Sequence, residues 1–329
     1  MSMTMWQGTR YRQGMRGGHY ESWFLRANHP KKAEAFWIRY TLLVPQATDL
    51  PALGELWVVY TQAELQVIRV AKSVYPLQEG RYAENYLDIE LGGSYLRSGV
   101  AKGQAQGPDD VQWDLRYEGS TMPVLLLPKH WYNSGFPRAK SVTTRPVVSF
   151  IGTLQVNGAV IPINHWIGSE NHNWGSRHTD KYAWAQVVGF DNDPEVFFEI
   201  IAARVQWRSF LTPVMTLLVL RVDGQEIRLN GMLQALRANS HWKPLAWFFK
   251  SSGKGVRVRG VISAQPHECV ALRYANPPGG EHICFNSKVA ACDLWLERAG
   301  RPPRHLVTQG RAAFEILGDD PVEGMPVMA

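Results

Sequence analysis

The chain has 329 residues, of which 45% are hydrophobic, so it can bury a sizeable core and has the usual length of two domains. Its formal charge of +6 is not gathered into a basic stripe, which argues against a nucleic-acid-binding surface. Three cysteines without a C-x-x-C pair argue against a disulfide framework or a zinc knuckle. The sequence shows neither a signal peptide nor about 18 consecutive apolar residues, so we expect a cytoplasmic protein without a transmembrane segment.

The apolar pattern along the chain is that of β-strands. Runs rich in β-branched and aromatic residues lie at 36–44, 55–63, 150–168, 182–190, 196–205, 214–229, 255–264 and 312–317. The pairs Asn157–Gly158 and Asp223–Gly224 predict two-residue hairpins, because both positions of such a turn need a positive φ. Only the segment 231–239 has the pattern of a short helix. Many strands joined by tight turns predict an all-β sandwich or up-and-down barrel.

A weak internal repeat suggests two copies of one β-module. Trp23 is followed thirteen residues later by the pair Phe36–Trp37, and Trp184 is followed at the same distance by Phe197–Phe198. The shared spacing, together with the strand content, predicts tandem barrels. We place an N-terminal domain at 1–179 and a C-terminal domain at 180–329.

Four aromatic residues near these positions are candidates for binding a ligand. An eight-stranded barrel is wide enough inside to hold one small molecule. With regular alternation along the strands, Trp23, Trp37, Tyr182 and Trp184 would line or plug the barrel interiors. Each of them could equally be a packing residue of a core, and the sequence leaves both roles open.

The densest group of polar and aromatic side chains is NHNWGSRHTDKYAW, residues 171–184. Within it, NHNWG resembles the HNWG signature at the domain junction of the carotenoid 1,2-hydratase superfamily. The early segments GHYESWF and FWIRYTLL resemble the opening strands of the same superfamily. That group also includes tocopherol cyclases, AttH-like proteins and lipocalin-like Diels–Alderases.

The resemblance implies two tandem lipocalin-like antiparallel β-barrels that bind apolar polyenes or prenylated molecules. It implies protonation, hydration, cyclisation or pericyclic closure without a metal or an organic cofactor. The family's H-x-W unit matches His172 and Trp174, and its Tyr-x-Asp pair matches Phe197 and Glu199. The match loses the tyrosine hydroxyl at Phe197, which leaves that residue a substrate contact, and it keeps a carboxyl at Glu199.

Glu199 is the candidate acid. It stands in the apolar run VFFEII, where alternation puts it on one face with Phe197 and Ile201. A carboxyl in an apolar site holds its proton to higher pH, as protonation of a C=C bond requires. The same pattern also fits an ion-paired carboxylate or one on a solvent-facing strand.

His172 is a candidate proton relay, and Trp174 is a candidate cation stabiliser or packing anchor. The alternative for His172 is a structural role, because Asn171, Asn173 and Gly175 around it are typical of a turn.

A metal site built from His165, His172, His178 and Asp180 is another possibility, but their spacing matches no familiar metal motif. We therefore predict no metal.

The function that these patterns favour is that of a cofactor-independent enzyme. It would act on an apolar isoprenoid- or polyketide-like small molecule by acid-assisted hydration or cyclisation. One alternative is a non-catalytic carrier of such a molecule, and another is a protein-interaction module with solid barrels. Sequence does not indicate the oligomeric state.

Overall fold

The computed structural model describes residues 4–207 and 210–318, and also residues 325, 327 and 328. An eleven-stranded antiparallel sheet occupies the N-terminal half, in the spatial order β4-β3-β2-β1-β11-β10-β9-β8-β7-β6-β5. Its strands are β1 His19–Asn28, β2 Glu34–Val44, β3 Leu53–Gln62, β4 Val67–Pro76, β5 Arg81–Tyr82, β6 Asp88–Leu91, β7 Ser94–Arg97, β8 Val100–Gln106, β9 Asp110–Gly119, β10 Ala139–Val156 and β11 Ala159–Gly175. The sheet curls on itself, so that Val70 of β4 exchanges hydrogen bonds with Asp109 beside β9.

A second antiparallel sheet occupies the C-terminal half. Its order is β17-β16-β13-β12-β23-β22-β20-β19-β18, with β21 paired to β22. Its strands are β12 Lys181–Phe190, β13 Asp193–Arg204, β16 Met215–Val222, β17 Gln225–Leu229, β18 Asn239–Lys243, β19 Ala246–Gly253, β20 Val256–Ser263, β21 Val270–Ala275, β22 Glu281–Arg298 and β23 Arg301–Gly318, and a separate ribbon is formed by β14 Gln206–Trp207 and β15 Phe210–Leu211.

Helices are few and short in the described part of the chain. They are α1 Thr4–Gln7, α2 Met232–Arg237, and single 3₁₀ turns at Ala63–Leu65, Leu77–Glu79, Lys129–Asn133 and Pro266–Glu268. The helix predicted within 231–239 is confirmed. Among the described residues, no helix has both the length and the apolar character to span a membrane.

Each sheet encloses its own apolar core, and a third apolar cluster lies between the sheets. Strand β9 is covered on one face only, so buried and exposed residues alternate along it: Val111, Trp113 and Leu115 are buried, whereas the residues between them are exposed. Strands β1 and β2 are instead buried along their whole length, because the barrel core covers one face and the second sheet the other. The expected all-β fold of two tandem lipocalin-like barrels is confirmed.

Both predicted hairpins are present. Asn157 and Gly158 have φ of 48° and 85° between β10 and β11, and Asp223 and Gly224 have φ of 54° and 68° between β16 and β17. The first sheet ends at Gly175 and the second begins at Lys181, while the division into domains at 179/180 stays a prediction.

The turn expected around residues 171–175 is wrong. Asn171, His172 and Asn173 lie in the middle of pairing between β11 and both of its neighbours, β1 and β10. Gly175 ends the strand, where a Cβ would come within 2.3 Å of the Arg138 carbonyl oxygen. The glycine at 175 allows close packing, and the asparagine at 171 forms side-chain hydrogen bonds, so both belong to a long strand that ends at Gly175.

Candidate functional site

A cavity lies between the two sheets. Counting its open mouth, it holds about 1150 Å³ of space free of protein atoms. Strands β1, β2, β10 and β11 form one wall, and strands β12, β13, β16, β21 and β23 form the other. The segment between β9 and β10 contributes Leu127, Trp131 and Phe136. The lining is rich in aromatic rings with a few polar groups, which is the usual character of a small-molecule site.

The carboxyl of Glu199 faces this cavity from β13. Its side chain is on the same face as Ile201, which also lines the cavity, whereas Phe198 and Ile200 point into the core of the second barrel. The alternation predicted from VFFEII is therefore confirmed. Glu199 is 3% exposed and has no cationic partner within ion-pairing distance among the described residues.

Three side chains hold the Glu199 carboxyl by hydrogen bonds. Trp184 Nε1 donates to Oε1 at 3.1 Å, and Gln186 Nε2 lies 3.5 Å from the same oxygen. Thr143 Oγ1 lies 3.0 Å from Oε2 and also 3.0 Å from Asn171 Oδ1. Because a hydroxyl has one hydrogen, Thr143 can donate to an ionised Glu199, or it can donate to Asn171 while accepting from a protonated Glu199. The network therefore accommodates both protonation states of the acid.

Burial raises the pKa of Glu199 from 4.5 to about 7, and the hydrogen bonds from Trp184, Thr143 and Gln186 act in the opposite direction. Burial prevails because an ionised carboxylate loses more hydration here than three neutral donors return. A carboxyl with this pKa is an acid matched to neutral pH.

A second carboxylate in the cavity wall, that of Glu315, has a cationic partner. Lys288 Nζ donates to its Oε1 at 2.7 Å, and Asn286 Nδ2 donates to the same oxygen at 3.0 Å. The Lys288 ammonium also lies 5.3 Å from the ring centre of Trp37 and 5.6 Å from that of Trp184. Glu315 therefore has a cationic partner in direct contact, which Glu199 lacks among the described residues.

Of the aromatic residues predicted to bind a ligand, three line the cavity between the sheets: Trp37, Tyr182 and Trp184. Phe197 is fully buried in the apolar cluster around the cavity but is not part of its wall. Trp23 points the other way, into the core of the first barrel, where it stacks on His172. Of the four residues expected to line or plug a barrel interior, only Trp23 lies inside one, and the role of all of them in ligand binding stays a prediction.

His172 and Trp174 do not meet Glu199. Both lie on the face of β11 opposite Asn171 and Asn173, which line the cavity. His172 is 0% exposed, its Nε2 donates to Glu21 Oε1 at 2.7 Å, and its Nδ1 lies 2.6 Å from the Trp6 carbonyl oxygen.

Glu21 gathers further donors from the N-terminal segment, and this explains the place of His172. The backbone N–H groups of Arg10 and Tyr11 and the hydroxyl of Thr9 all bond to its carboxylate. Burial alone would raise the pKa of Glu21, but bonds from His172 and His19 and their charge lower it to about 2. His172 thus holds residues 6–11 against the first barrel. Trp174 packs beside it under the guanidinium of Arg10, at 5.0 Å.

The four residues considered for a metal site do not come together. His165 is exposed on the far part of β11, His172 is bonded to Glu21, and His178 and Asp180 follow the strand's end. Within the described ranges, no group of three or more histidine, cysteine, aspartate or glutamate side chains has metal-binding geometry.

Sequence reasoning missed the polar residues that surround the acid: Thr143, Asn171 and Gln186. It also missed Arg39 and Lys140 in the cavity wall. A signal was available for Gln186 and Arg39, because each interrupts an otherwise apolar strand, AWAQVVGF and FWIRYTLL, that is covered on both faces. Thr143 had no such signal, since threonine is common in strands.

No family model matches the chain. Two uncharacterized proteins, from two strains of Mycobacterium tuberculosis, are each 22% identical to it over 287 residues. The match covers 86% of this chain and 82% of each relative.

Solved structures share the fold over almost the whole chain. An AttH-like protein from Nitrosomonas europaea is 14% identical with a TM-score of 0.58, covering 92% of this chain and 94% of its own. Kievitone hydratase from Nectria haematococca is 12% identical with a TM-score of 0.55, covering 92% and 89%. CghA is 10% identical with a TM-score of 0.56, covering 98% and 93%. At these identities the neighbours show the fold alone.

Proposed function

We propose that the protein is an enzyme that binds an apolar small molecule between its two barrels and protonates a C=C bond from Glu199. One observation carries the proposal: a buried carboxyl faces an aromatic-lined cavity with a pKa raised to about 7. Hydration or cyclisation of an isoprenoid- or polyketide-like molecule is the reaction class. The alternative function is that of a carrier, for which a buried acid in the wall has no use.

The proton step needs only groups of this chain and the substrate. The π electrons of the substrate form a new C–H bond to the Glu199 proton, and the O–H electrons remain on the carboxylate. Trp184 Nε1 then stabilises the negative charge on Oε1, and Thr143 Oγ1 turns its hydrogen to Oε2. The carbocation is captured by water, which returns a proton to Glu199, or by a second C=C bond of the same molecule, followed by proton loss to Glu199.

The cavity wall suits the cation that this step creates. Trp184 lies directly beside the acid, and Phe24 contacts both Trp184 and Trp37 with ring centres 6.2 Å apart. Aromatic faces stabilise a nearby positive charge and exclude water until capture. Because these rings belong to both sheets, the reacting centre would lie at the seam between the barrels.

The proposal is tested on molecules that co-purify with the protein, identified by mass spectrometry. Wild-type protein is incubated with the extracted molecules in D₂O, where proton transfer to carbon introduces deuterium into a C–H position. Glu199→Gln is expected to slow both turnover and deuterium uptake by at least about 100-fold, the usual effect of removing a general acid, with unchanged binding.

Glu195→Gln is the matched control, because Glu195 is an exposed residue of the same strand. It should behave as the wild type. Binding without any deuterium uptake in the wild type would favour the carrier, and full activity of Glu199→Gln would remove Glu199 from the mechanism.

A further inference from the structure

Arg39 is a buried cation without a bonding partner in the wall of the cavity. It lies on β2, is 6% exposed and lines the space between the sheets. Within the described residues its guanidinium forms no ion pair and no hydrogen bond, and its buried Nε is unsatisfied. Leaving such a group unpaired is costly, since each charged donor loses its hydration on burial.

Two other buried cations in the described part of the chain, Arg26 and Lys288, are bonded to protein oxygen atoms, although Nε of Arg26, like that of Arg39, has no partner. Arg26 donates to the carbonyl oxygens of Gln186 and Arg311, both at 2.9 Å. Lys288 is paired with Glu315. Arg39 differs from both, because none of its guanidinium nitrogens bonds to a described residue.

The contacts that Arg39 does make leave its N–H groups available. Its guanidinium carbon lies 4.5 Å from the ring centre of Tyr274 and 5.8 Å from that of Trp37. Aromatic rings attract the charge through their faces but do not accept the in-plane N–H hydrogens as an oxygen would. Those donors are free for a ligand that enters the cavity.

The charges around the cavity favour an anion. Lys140 also lines the wall, and its Nζ donates to the carbonyl oxygen of Pro137. The carboxylate of Glu315 is already neutralised by Lys288, and Glu199 has no cationic partner and is the proton donor of the proposed reaction. The cations that remain in the wall are Arg39 and Lys140, and their attraction for an anion is weakly screened in this buried site.

We propose that the ligand of this cavity carries an anionic oxygen group on an otherwise apolar body, and that Arg39 binds this group. The inference rests on the proposed function and names its substrate class, an apolar acid. A path of rings joins the two groups: Arg39 lies by Trp37, Trp37 by Phe24, and Phe24 by Trp184, which bonds to Glu199. A molecule anchored at Arg39 would lay its apolar part along these rings toward the acid.

Two fluorescent probes of one skeleton test the inference: 8-anilinonaphthalene-1-sulfonate, which is anionic, and N-phenyl-1-naphthylamine, which lacks the sulfonate. We expect wild-type protein to bind the sulfonate more tightly. Arg39→Met should weaken the sulfonate on the order of 10- to 100-fold, the range for hydrogen bonds to a charged group, and leave the neutral probe within about threefold. Arg257→Met, in an exposed pair with Glu297, is the control and should change neither affinity.

The outcomes separate the two proposals. Equal loss of both probes in Arg39→Met, with an equal loss of both in Arg39→Lys, would leave the preference for the sulfonate unchanged; Arg39 would then be a packing residue and the inference would be overturned. Unchanged sulfonate binding in Arg39→Met would overturn it as well, while the cavity and Glu199 would stand. Failure of wild-type protein to bind either probe would overturn the apolar cavity itself, and the Arg39 inference with it.

Discussion

Replacing Glu199 by glutamine should stabilise the protein at high pH and leave its stability unchanged at low pH. In the unfolded chain the carboxyl ionises near 4.5, whereas burial raises its folded pKa to about 7. Between these values the folded protein keeps a proton that the unfolded chain has lost, so a rise in pH favours unfolding. The stability linked to the protonated acid is complete below 4.5 and is lost as the pH rises through 7.

The size of the effect follows from the pKa difference, which corresponds to about 3 kcal/mol in the free energy of unfolding. Glutamine can reproduce the protonated state, because its carbonyl oxygen accepts from Trp184 Nε1 and its amide donates to Thr143 Oγ1. The variant should therefore match the wild type near pH 4 and exceed it by up to about 3 kcal/mol near pH 9.

Urea denaturation of both proteins across this pH range measures the difference, with Glu195→Gln as the control that should follow the wild type throughout. A difference between Glu199→Gln and wild type that does not vary with pH would refute the reasoning. It would mean that Glu199 titrates as an ordinary carboxyl and is not an acid near neutral pH.

Three further predictions concern Glu21, Trp184 and His172. Glu21→Gln should make the free energy of unfolding less dependent on pH in acid. The low pKa of Glu21, about 2, gives the wild type about 3 kcal/mol of stability that is present above pH 4.5 and is lost as the pH falls toward 2, which denaturation at a series of acid pH values measures. Trp184→Phe removes a bond that lowers the pKa of Glu199, so the midpoint of the pH–activity profile should move above about 7; an unchanged midpoint would contradict this. His172→Gln should lower the urea midpoint while leaving the affinity for N-phenyl-1-naphthylamine within about threefold, and a large loss of affinity would place His172 in the site after all.

The sequence predicted the strands, the hairpins and the face of Glu199, because these follow from local rules. The Asn-Gly and Asp-Gly turns need only the φ preferences of two residues, and the side of Glu199 needs only alternation along β13. The tandem arrangement was predicted from a weak repeat. The hairpins β1–β2 and β12–β13 have the same strand register at the repeated positions, because Trp23 pairs with Tyr40 and Trp184 pairs with Ile201.

The contacts around the candidate site could not be predicted from local sequence rules, because they join residues far apart in the chain. His172 meets Glu21, which lies 151 positions away, and the acid meets Thr143 at a distance of 56 positions. The pattern around His172 was typical of a turn, and only pairing on both sides of β11 shows that it is a strand. Because side chains alternate along that strand, neighbouring residues of one motif face opposite sides of the sheet. Asn171 bonds to Thr143 beside the acid, and His172 bonds to the N-terminal segment.

Infrared spectroscopy tests most directly whether a protonated Glu199 faces the ligand cavity. We predict that the difference spectrum of wild type minus Glu199→Gln near pH 5 contains the carbonyl stretching band of a protonated carboxyl. The band should disappear with a midpoint near 7 and shift when N-phenyl-1-naphthylamine binds. Absence of the band, or a band that does not respond to the probe, would contradict the assignment of Glu199 as the acid between the barrels.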